Sequence, residues 1–459
     1  MGRRRSVYAV KSSLPPTNGR NWTINIRFTR LTVTVAALVV ALTTTLTNAG
    51  SASAVPGTPG TYTSAGPTRV LDTRAGTGAP TAKIAAGATL VFDASAGLGV
   101  PVSAVALNIT VVDPTVAGYV TVWASGTTRV TTSTVNFVSG RVTANATIVR
   151  PAADGAVSVY NGSANPIDLL ADRTGAWSGG GTVDPATAGA LNALPSARLV
   201  DTRVTGGPLA ALAARKVSVL GRGGVRASNV SSVAVNLTAV SPAASGYLTV
   251  GAEVPQPTAR TSSVNFPARQ NRANLALVPV NPDGTITVVN YSGGSTQILV
   301  DVLGYFNDGT PSAAGSFLPS TSFRAVDTRT TASALPALTT RRLAVLPSDG
   351  TASFFQALAV NITAVTPQSS GYLTAWDGNG GLPSTSNNNF SAGVTSASST
   401  IVPVNPDGTV TIYNGSYGNL DVIIDINGFV LADLTPTVAS QAAVKRAVAS
   451  ARQFGAAHH

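Results

Sequence analysis

The charged residues that could do chemistry are few, and most of them recur at fixed spacing. An Asp-Thr-Arg triplet occurs three times, at Asp72–Arg74, Asp201–Arg203 and Asp327–Arg329. A further Asp follows each triplet about 100 residues later. These later residues are Asp172, Asp301 and Asp425. Glycosidases use two carboxylates, so Asp72 with Asp172 is a candidate catalytic pair, but recurrence in every copy favours a structural role.

The three triplets are predicted to form ion pairs within the fold. Asp and Arg two residues apart on an extended segment share a face, and a buried Arg needs an acidic partner. We predict either that each Arg meets the later Asp of its own copy or that it pairs within its own triplet. The predicted pairs of the first kind are Arg74 with Asp172, Arg203 with Asp301, and Arg329 with Asp425.

The rest of the composition excludes most familiar catalytic chemistry. The chain has no Cys, and its two His residues, His458 and His459, are the last two residues. A thiol nucleophile, a thiolate metal site and a Ser-His-Asp triad within the fold are therefore excluded. Calcium could bind clustered Asp, but no Asp-x-Asp-x-Asp loop is present. We expect no catalytic residue, no metal and no cofactor, and we interpret the protein as non-enzymatic.

A second candidate site is a row of aromatic and hydroxyl side chains that follows a Gly-Tyr pair. Strand alternation places every second residue of this segment on one face. The rows of the first and third copies consist of Tyr119, Thr121 and Trp123, and of Tyr372, Thr374 and Trp376. The second copy lacks the Trp. Such a row can stack on sugar rings or form a protein-binding hot spot. The alternative is that the rings fill the core or the seam between modules.

The first 54 residues have the pattern of a secretory signal peptide. Seven basic residues and no acidic one precede an apolar run from about Leu31 to Leu46, and Ala52-Ser53-Ala54 follows. This order predicts cleavage after Ala54. Removal of the leader lowers the formal net charge from +11 to +4, so a nucleic-acid partner is not expected. No later segment is long and apolar enough to span a bilayer, so the mature chain should not be membrane-spanning.

The candidate residues are carried by three copies of one module. The triplets recur with periods of 129 and 126 residues, and an Asn-to-Tyr offset of 11 residues is the same in each copy. Period-two apolar alternation and Asp-Gly turn signals indicate short strands. Each copy is domain-sized, so we predict an all-β fold of three tandem β-sandwich modules, jelly-roll or immunoglobulin-like, after the signal peptide. We expect each module to fold independently.

The predicted domain boundaries follow from the repeats and from Gly-, Ser- and Pro-rich stretches between them. The ranges are 1–54 for the signal peptide, 61–173, 198–306 and 323–430 for the modules, 174–197 and 307–322 for the linkers, and 431–459 for the tail. Within the tail, the Ala-rich segment Val438–Phe454 is the one predicted helix.

The motifs resemble the tandem-repeat β-modules of secreted proteins from high-GC Gram-positive bacteria. In that family an LDTR-like start and a DVxGYF-like end bracket each copy; here the second copy ends Asp301-Val302-Leu303-Gly304-Tyr305-Phe306. The first copy departs from this pattern after Asp172. The resemblance covers about residues 61–430. It implies export and a surface or extracellular role, and it implies no particular activity.

These observations favour an exported, non-enzymatic binding protein that acts at the cell envelope or on extracellular glycan, as in cell-surface adhesion. Its partner would be a cell-wall or extracellular polysaccharide, or a protein. The alternative functions are a structural or assembly subunit of an extracellular complex, and an accessory module protein of a secreted hydrolase. We predict a secreted or cell-surface location.

Overall fold

The structure is a computed structural model, and it describes residues 60–178, 189–253, 261–308, 315–432 and 438–457. The predicted signal peptide and its cleavage site lie outside the described residues, as do the middle parts of both predicted linkers. Within the described ranges, no helix combines the length and the apolar character that crossing a membrane requires.

Each of the three repeats forms eight strands in the same order. Repeat 1 consists of β1 (Tyr62–Asp72), β2 (Thr89–Asp93), β3 (Val102–Val112), β4 (Gly118–Ala124), β5 (Val135–Phe137), β6 (Thr143–Val149), β7 (Ala156–Asn161) and β8 (Asp168–Ser178). Repeat 2 consists of β9 (Leu191–Asp201), β10 (Ala214–Ser218), β11 (Val230–Val240), β12 (Gly246–Gly251), β13 (Val264–Phe266), β14 (Arg272–Pro279), β15 (Thr285–Ser292) and β16 (Gln297–Asn307). Repeat 3 consists of β17 (Phe317–Asp327), β18 (Thr340–Ala344), β19 (Phe355–Val365), β20 (Gly371–Trp376), β21 (Asn388–Phe390), β22 (Ser396–Pro403), β23 (Thr409–Asn414) and β24 (Asp421–Leu431). A 3₁₀ helix spans Thr351–Phe354, and α1 spans Val438–Ala457.

The strands of each repeat form two antiparallel four-stranded sheets. In repeat 1 the strand orders are β1-β8-β3-β6 and β2-β7-β4-β5, and repeats 2 and 3 have the equivalent orders. Because the chain moves between the two sheets, neither sheet is a simple meander. The Asp-Gly turns form as predicted: Gly155, Gly284 and Gly408 have φ values of +84°, +76° and +82°, in the left-handed region that glycine tolerates.

Alternation of apolar residues gives each repeat its own core. In repeat 1, Leu107 and Ile109 of β3 pack with Val120 of β4 and Val157 and Val159 of β7, and all five side chains are buried. Side chains on one face of a strand occur at every second position, so the side chains on one face of each sheet belong to this cluster. Repeats 2 and 3 have equivalent clusters.

The prediction of three tandem β-sandwich modules is wrong, although the chain is all-β. The strands build six small four-stranded sheets rather than three separate domains. The three repeats belong to one compact unit. The physical reason is that the cores of the separate repeats are not the whole core: a fourth apolar cluster takes residues from all three repeats.

The shared cluster is built from equivalent positions that carry side chains of different size. Tyr62 pairs across the strands with Trp177 in repeat 1, Leu191 with Phe306 in repeat 2, and Phe317 with Val430 in repeat 3. The ring centroids of Tyr62 and Phe306 are 4.3 Å apart, and those of Trp177 and Phe317 are 4.7 Å apart. Larger rings in one repeat therefore fill the space that smaller residues leave in another.

Hydrogen bonds between repeats close this arrangement into a ring. Asn108 of repeat 1 donates its Nδ2 to the carbonyl oxygen of Ser262 in repeat 2, at 2.5 Å. Asn236 of repeat 2 donates to Ser386 in repeat 3 at 2.5 Å, and Asn361 of repeat 3 donates to Ser133 in repeat 1 at 2.7 Å. The three Asn residues occupy the same position in the repeated motif and are buried. Their recurrence therefore has a structural explanation.

The segments between the repeats are shorter than the linkers predicted from the sequence. Strand β8 continues to Ser178 and β9 begins at Leu191, inside the range 174–197, and β17 begins at Phe317, inside the range 307–322. These extensions carry the residues of the shared cluster, which explains why they are ordered as strand. In the C-terminal tail, α1 packs on repeat 3 through Val444, with Ala447 and Ala451 also buried.

Candidate functional site

Each repeat contains a charge network of two Arg and two Asp residues. In repeat 2, Arg198 donates from Nε to Asp301 Oδ1 at 2.6 Å and from Nη2 to Asp301 Oδ2 at 3.0 Å. Its Nη1 lies 3.3 Å from Asp201 Oδ2. Asp201 also accepts from Arg203, at 2.9 Å from Nε and 2.6 Å from Nη2. The same network recurs as Arg69, Asp72, Arg74 and Asp172, and as Arg324, Asp327, Arg329 and Asp425.

Of the two predicted pairings, the structure contains the one within the triplet. Arg74 binds Asp72, Arg203 binds Asp201, and Arg329 binds Asp327. The pairing of these arginines with the later Asp is not found. The later Asp residues are instead bound by Arg69, Arg198 and Arg324, which the sequence analysis did not consider as partners. Strand register gives the reason, since these three arginines lie directly opposite the later Asp residues across the pair of strands.

The two carboxylates of each network have pKa values shifted in opposite directions. Hydrogen bonds from Arg74 and Arg203 lower the pKa of Asp72 and Asp201 to about 2. Burial raises the pKa of Asp425 to about 6, and burial also raises the pKa values of its counterparts in the other repeats. Desolvation disfavours the charged form, whereas donated hydrogen bonds favour it.

The network is arranged to stabilise the fold rather than to act on a substrate. Asp172 is 1% exposed, and both of its carboxylate oxygens accept from Arg69. A glycosidase acid or nucleophile must reach the sugar from a cleft, so the candidate pair of Asp72 and Asp172 is not placed for that reaction. Each network instead ties the first strand of a repeat to its last strand.

Most of the predicted aromatic row is buried, so the row cannot bind a ligand as predicted. Thr121 and Trp123 are 1% and 6% exposed, and Thr374 and Trp376 are 0% and 6% exposed. The segment after β4 covers this face: Thr121 Oγ1 donates to the carbonyl of Thr132, and Trp123 Nε1 donates to the carbonyl of Thr127. Thr374 is covered in the same way, by Thr385. Here the alternative prediction, in which these side chains fill a seam, describes the structure.

The two tyrosines at the start of the row are exposed at their ring faces. Tyr119 and Tyr372 are each 36% exposed. A Cβ atom placed on Gly162 would lie 2.4 Å from Cζ of Tyr119, and one on Gly415 would lie 2.4 Å from Cζ of Tyr372. Each ring therefore lies flat over a glycine of the neighbouring strand segment. One ring face is held against the sheet, and the other is left toward solvent.

A second tyrosine lies beside each exposed ring. The centroids of Tyr119 and Tyr160 are 6.2 Å apart, and those of Tyr372 and Tyr413 are 6.1 Å apart. The Arg129 guanidinium carbon lies 3.7 Å from the centroid of the Tyr160 ring. We name Tyr119 with Tyr160, and Tyr372 with Tyr413, the tyrosine platforms. Repeats 1 and 3 share this pair of tyrosines with similar ring spacing.

Repeat 2 carries a different version of this feature. Tyr291 stands where the other repeats have the glycine, and it stacks on Tyr247 with centroids 5.2 Å apart and an angle of 26° between the planes. The tyrosine platforms of repeats 1 and 3 therefore match each other, whereas the pair in repeat 2 has its own geometry.

The second tyrosine of each platform was not among the residues predicted from the sequence. Tyr160-Asn161-Gly162 and Tyr413-Asn414-Gly415 share a Tyr-Asn-Gly sequence, and repeat 2 has Val289-Asn290-Tyr291 instead. The Asn at the centre of each segment recurs in all three repeats, and a comparison of the residues on either side of it distinguishes repeats 1 and 3 from repeat 2. That comparison would have pointed to the platforms.

Two cavities lie at seams between repeats and are too small for a ligand. One, of about 30 Å³, lies between repeats 1 and 2 near Asp172 and Ser262, and the other, of about 20 Å³, lies between repeats 1 and 3 near Trp123 and Ser322. A cavity needs about 10–15 Å³ of such space to hold one water molecule, so each cavity has room for about one or two. Among the described residues, the tyrosine platforms are therefore better candidates for ligand contact than these cavities.

No protein-family model matches the chain, and no curated protein matches it. Among solved structures, the chain is similar to one described as "The Triple Jelly Roll Fold and Turret Assembly in an Archaeal Virus". The similarity has 10% sequence identity and a TM-score of 0.18, and it covers 82% of this chain and 91% of that chain. A TM-score of this size carries no argument about the fold or the function of this chain.

Proposed function

We propose that the protein is an exported, non-enzymatic binding protein whose tyrosine platforms contact an extracellular or cell-envelope polysaccharide. The observation that carries the proposal is the pair of matched, flat-lying rings of Tyr119 and Tyr372, each with one face toward solvent. The signal-peptide pattern and the resemblance to secreted modules support the extracellular location.

A flat aromatic ring suits the apolar face of a sugar ring. Tyr presents a rigid apolar face together with a hydroxyl group that can hydrogen-bond, so it serves surfaces that are partly wet. Asn136 lies opposite Tyr119 across the β4–β5 pair, and Asn389 lies opposite Tyr372 across the β20–β21 pair. In each platform an amide therefore lies beside the ring, with its oxygen already accepting a hydrogen bond from the serine three residues earlier.

The open geometry favours a polymeric ligand over a small one. A ligand on a platform would be covered on one side only, so each site should bind weakly, with a Kd in the millimolar range, about −4 kcal/mol. Two sites on one chain that engage the same polymer gain effective concentration without any new contact. We therefore expect retention on an insoluble polysaccharide and little affinity for a monosaccharide.

The sheet edges give less evidence for the alternative role, in which the protein is an assembly subunit. The edge strands β10 and β18 each carry a cation, Lys216 and Arg342, paired with Asp283 and Asp407 in the turn before the neighbouring strand. Charged side chains on an edge strand discourage the addition of a further strand. Assembly through the aromatic surface remains an outcome that the following experiment separates.

The test is a pull-down of residues 55–459 on chitin, cellulose and peptidoglycan sacculi. If the proposal is correct, at least one polymer retains the wild-type chain, and the Tyr119→Ala/Tyr372→Ala double variant loses at least tenfold in retention. The Tyr119→Phe/Tyr372→Phe variant should be retained, because it keeps the ring. Val204→Ala, a change at a 78% exposed side chain, is the matched control.

Equal retention of the double alanine variant and the wild-type chain would contradict the role of the platforms. Failure of all polymers to retain the wild-type chain, with self-association that the double variant abolishes, would favour the assembly function instead.

A further inference from the structure

Residues from all three repeats meet around two arginines that belong to none of the charge networks. Arg141 precedes β6 in repeat 1, and Arg272 begins β14 in repeat 2. Arg272 Nη1 donates to the carbonyl oxygen of Asn389 in repeat 3 at 3.5 Å and to that of Asn271 at 3.0 Å, and its Nη2 donates to Gln270 Oε1 at 3.2 Å.

These two arginines have no acidic partner among the described residues. Every ion pair found in that part of the chain involves other side chains. The Nη1 atom of Arg141 is buried and has no hydrogen-bond partner in the described structure. Burial lowers the pKa of Arg272 to about 10, and the neighbouring charge of Arg141 lowers it too. Burial also lowers the pKa of Arg141.

The fold itself does not require this pair of cations. Arg141 corresponds to Gln270 in repeat 2 and to Val394 in repeat 3, and Arg272 corresponds to Thr143 and Ser396. The same strands therefore form with neutral side chains at these positions. Two partly buried cations that repel each other are unfavourable unless an anion compensates them.

We propose that Arg141 and Arg272 form a binding site for an oxyanion, such as a sulfate, a phosphate or the carboxylate of an acidic sugar. A guanidinium group presents paired N–H donors that match the geometry of such groups. The unsatisfied Nη1 of Arg141 is the donor that the anion would engage first. The neutral groups around Arg272, the Gln270 amide and two backbone carbonyls, hold its guanidinium in place without cancelling its charge. This site shares Asn389 with the platform of repeat 3, but its two arginines are separate from the platform tyrosines.

The test is the thermal stability of residues 55–459 in sodium chloride and in sodium sulfate of matched ionic strength. Sulfate should raise the melting temperature of the wild-type chain along a saturable curve, by about 3 °C at a hundredfold excess over its Kd. Arg141→Gln and Arg272→Gln should lose this saturable rise. In chloride both variants should melt at the wild-type temperature or above it, because the repulsion is removed. Arg222→Gln, at an exposed arginine outside the site, should respond as the wild-type chain does.

Further arms with phosphate and glucuronate, and with neutral glucose as a control, identify the class of anion. An equal rise in the wild-type chain and in both glutamine variants would mean a general salt effect and would overturn the proposal. The absence of any saturable rise with all three anions would overturn it as well.

Discussion

The charge network of repeat 2 predicts that its two arginines contribute very differently to stability. Arg198 binds Asp301 through two hydrogen bonds, and the side chains are 18% and 0% exposed. Arg203 binds Asp201, but its side chain is 48% exposed. The changes to compare are therefore Arg198→Ala and Arg203→Ala.

The structure sets the expected magnitudes. Arg198→Ala leaves the buried carboxylate of Asp301 without a cation, and breaking a buried pair from one side costs about 3–5 kcal/mol. Arg203→Ala leaves Asp201 with Nη1 of Arg198 at 3.3 Å and the backbone N–H of residue 203 at 3.0 Å. An exposed ion pair contributes about 0–1 kcal/mol. The two variants should differ by about 2–5 kcal/mol in free energy of unfolding.

The assay is urea unfolding of residues 55–459, followed by the fluorescence of the buried Trp side chains. An Arg198→Lys variant keeps the charge without the two-pronged geometry and should fall between the other two. Equal losses for the two alanine variants, or a loss below about 1 kcal/mol for Arg198→Ala, would refute the assignment of the buried pair.

Three further predictions concern pH, cooperativity and the seams. Arg203 lowers the pKa of Asp201 to about 2, so the ionised carboxylate stabilises the fold above about pH 4. This contribution to stability is lost as the pH falls toward 2. Over that pH range the melting temperature of Asp201→Asn should therefore fall less steeply than that of the wild-type chain. A fragment of residues 189–308 should unfold with lower cooperativity than the whole chain and bind hydrophobic dyes, since it exposes Leu191 and Phe306 of the shared cluster; a sharp two-state transition without dye binding would contradict the shared core. Asn361→Ala should destabilise the chain by about 1–3 kcal/mol in urea unfolding, because it leaves a seam carbonyl unpaired, whereas Asn379→Ala, at an exposed turn, should change little.

The sequence was sufficient for the local structure of each repeat. Alternation in β3, from Val105 to Val111, predicts a strand that the structure contains within Val102–Val112. The Asp-Gly turns and the helical tail also follow from local chemistry, namely the φ freedom of glycine and an Ala-rich composition. Such features depend on residues that are close in the chain, so one sequence carries enough information to place them.

The sequence was not sufficient for contacts between repeats. Nothing in the pattern around Trp177 indicates that its ring packs against Phe317 of repeat 3. The same limit bears on the error over Trp123, because the segment after β4 that covers its strand face contacts repeat 3, where Thr132 Oγ1 donates to Ser322 Oγ at 2.9 Å. Strand register was the missing information for Arg198, which faces Asp301 only because β9 and β16 pair in one particular alignment.

The central proposal is that matched tyrosine platforms bind a polysaccharide, and titration of a soluble oligosaccharide from the retained polymer tests it most directly. In isothermal titration with residues 55–459, we predict weak binding to about two equivalent sites per chain, reduced to one site in Tyr119→Ala and in Tyr372→Ala, and lost in the double variant. Binding that both single variants and the double variant retain at the wild-type stoichiometry would contradict the account.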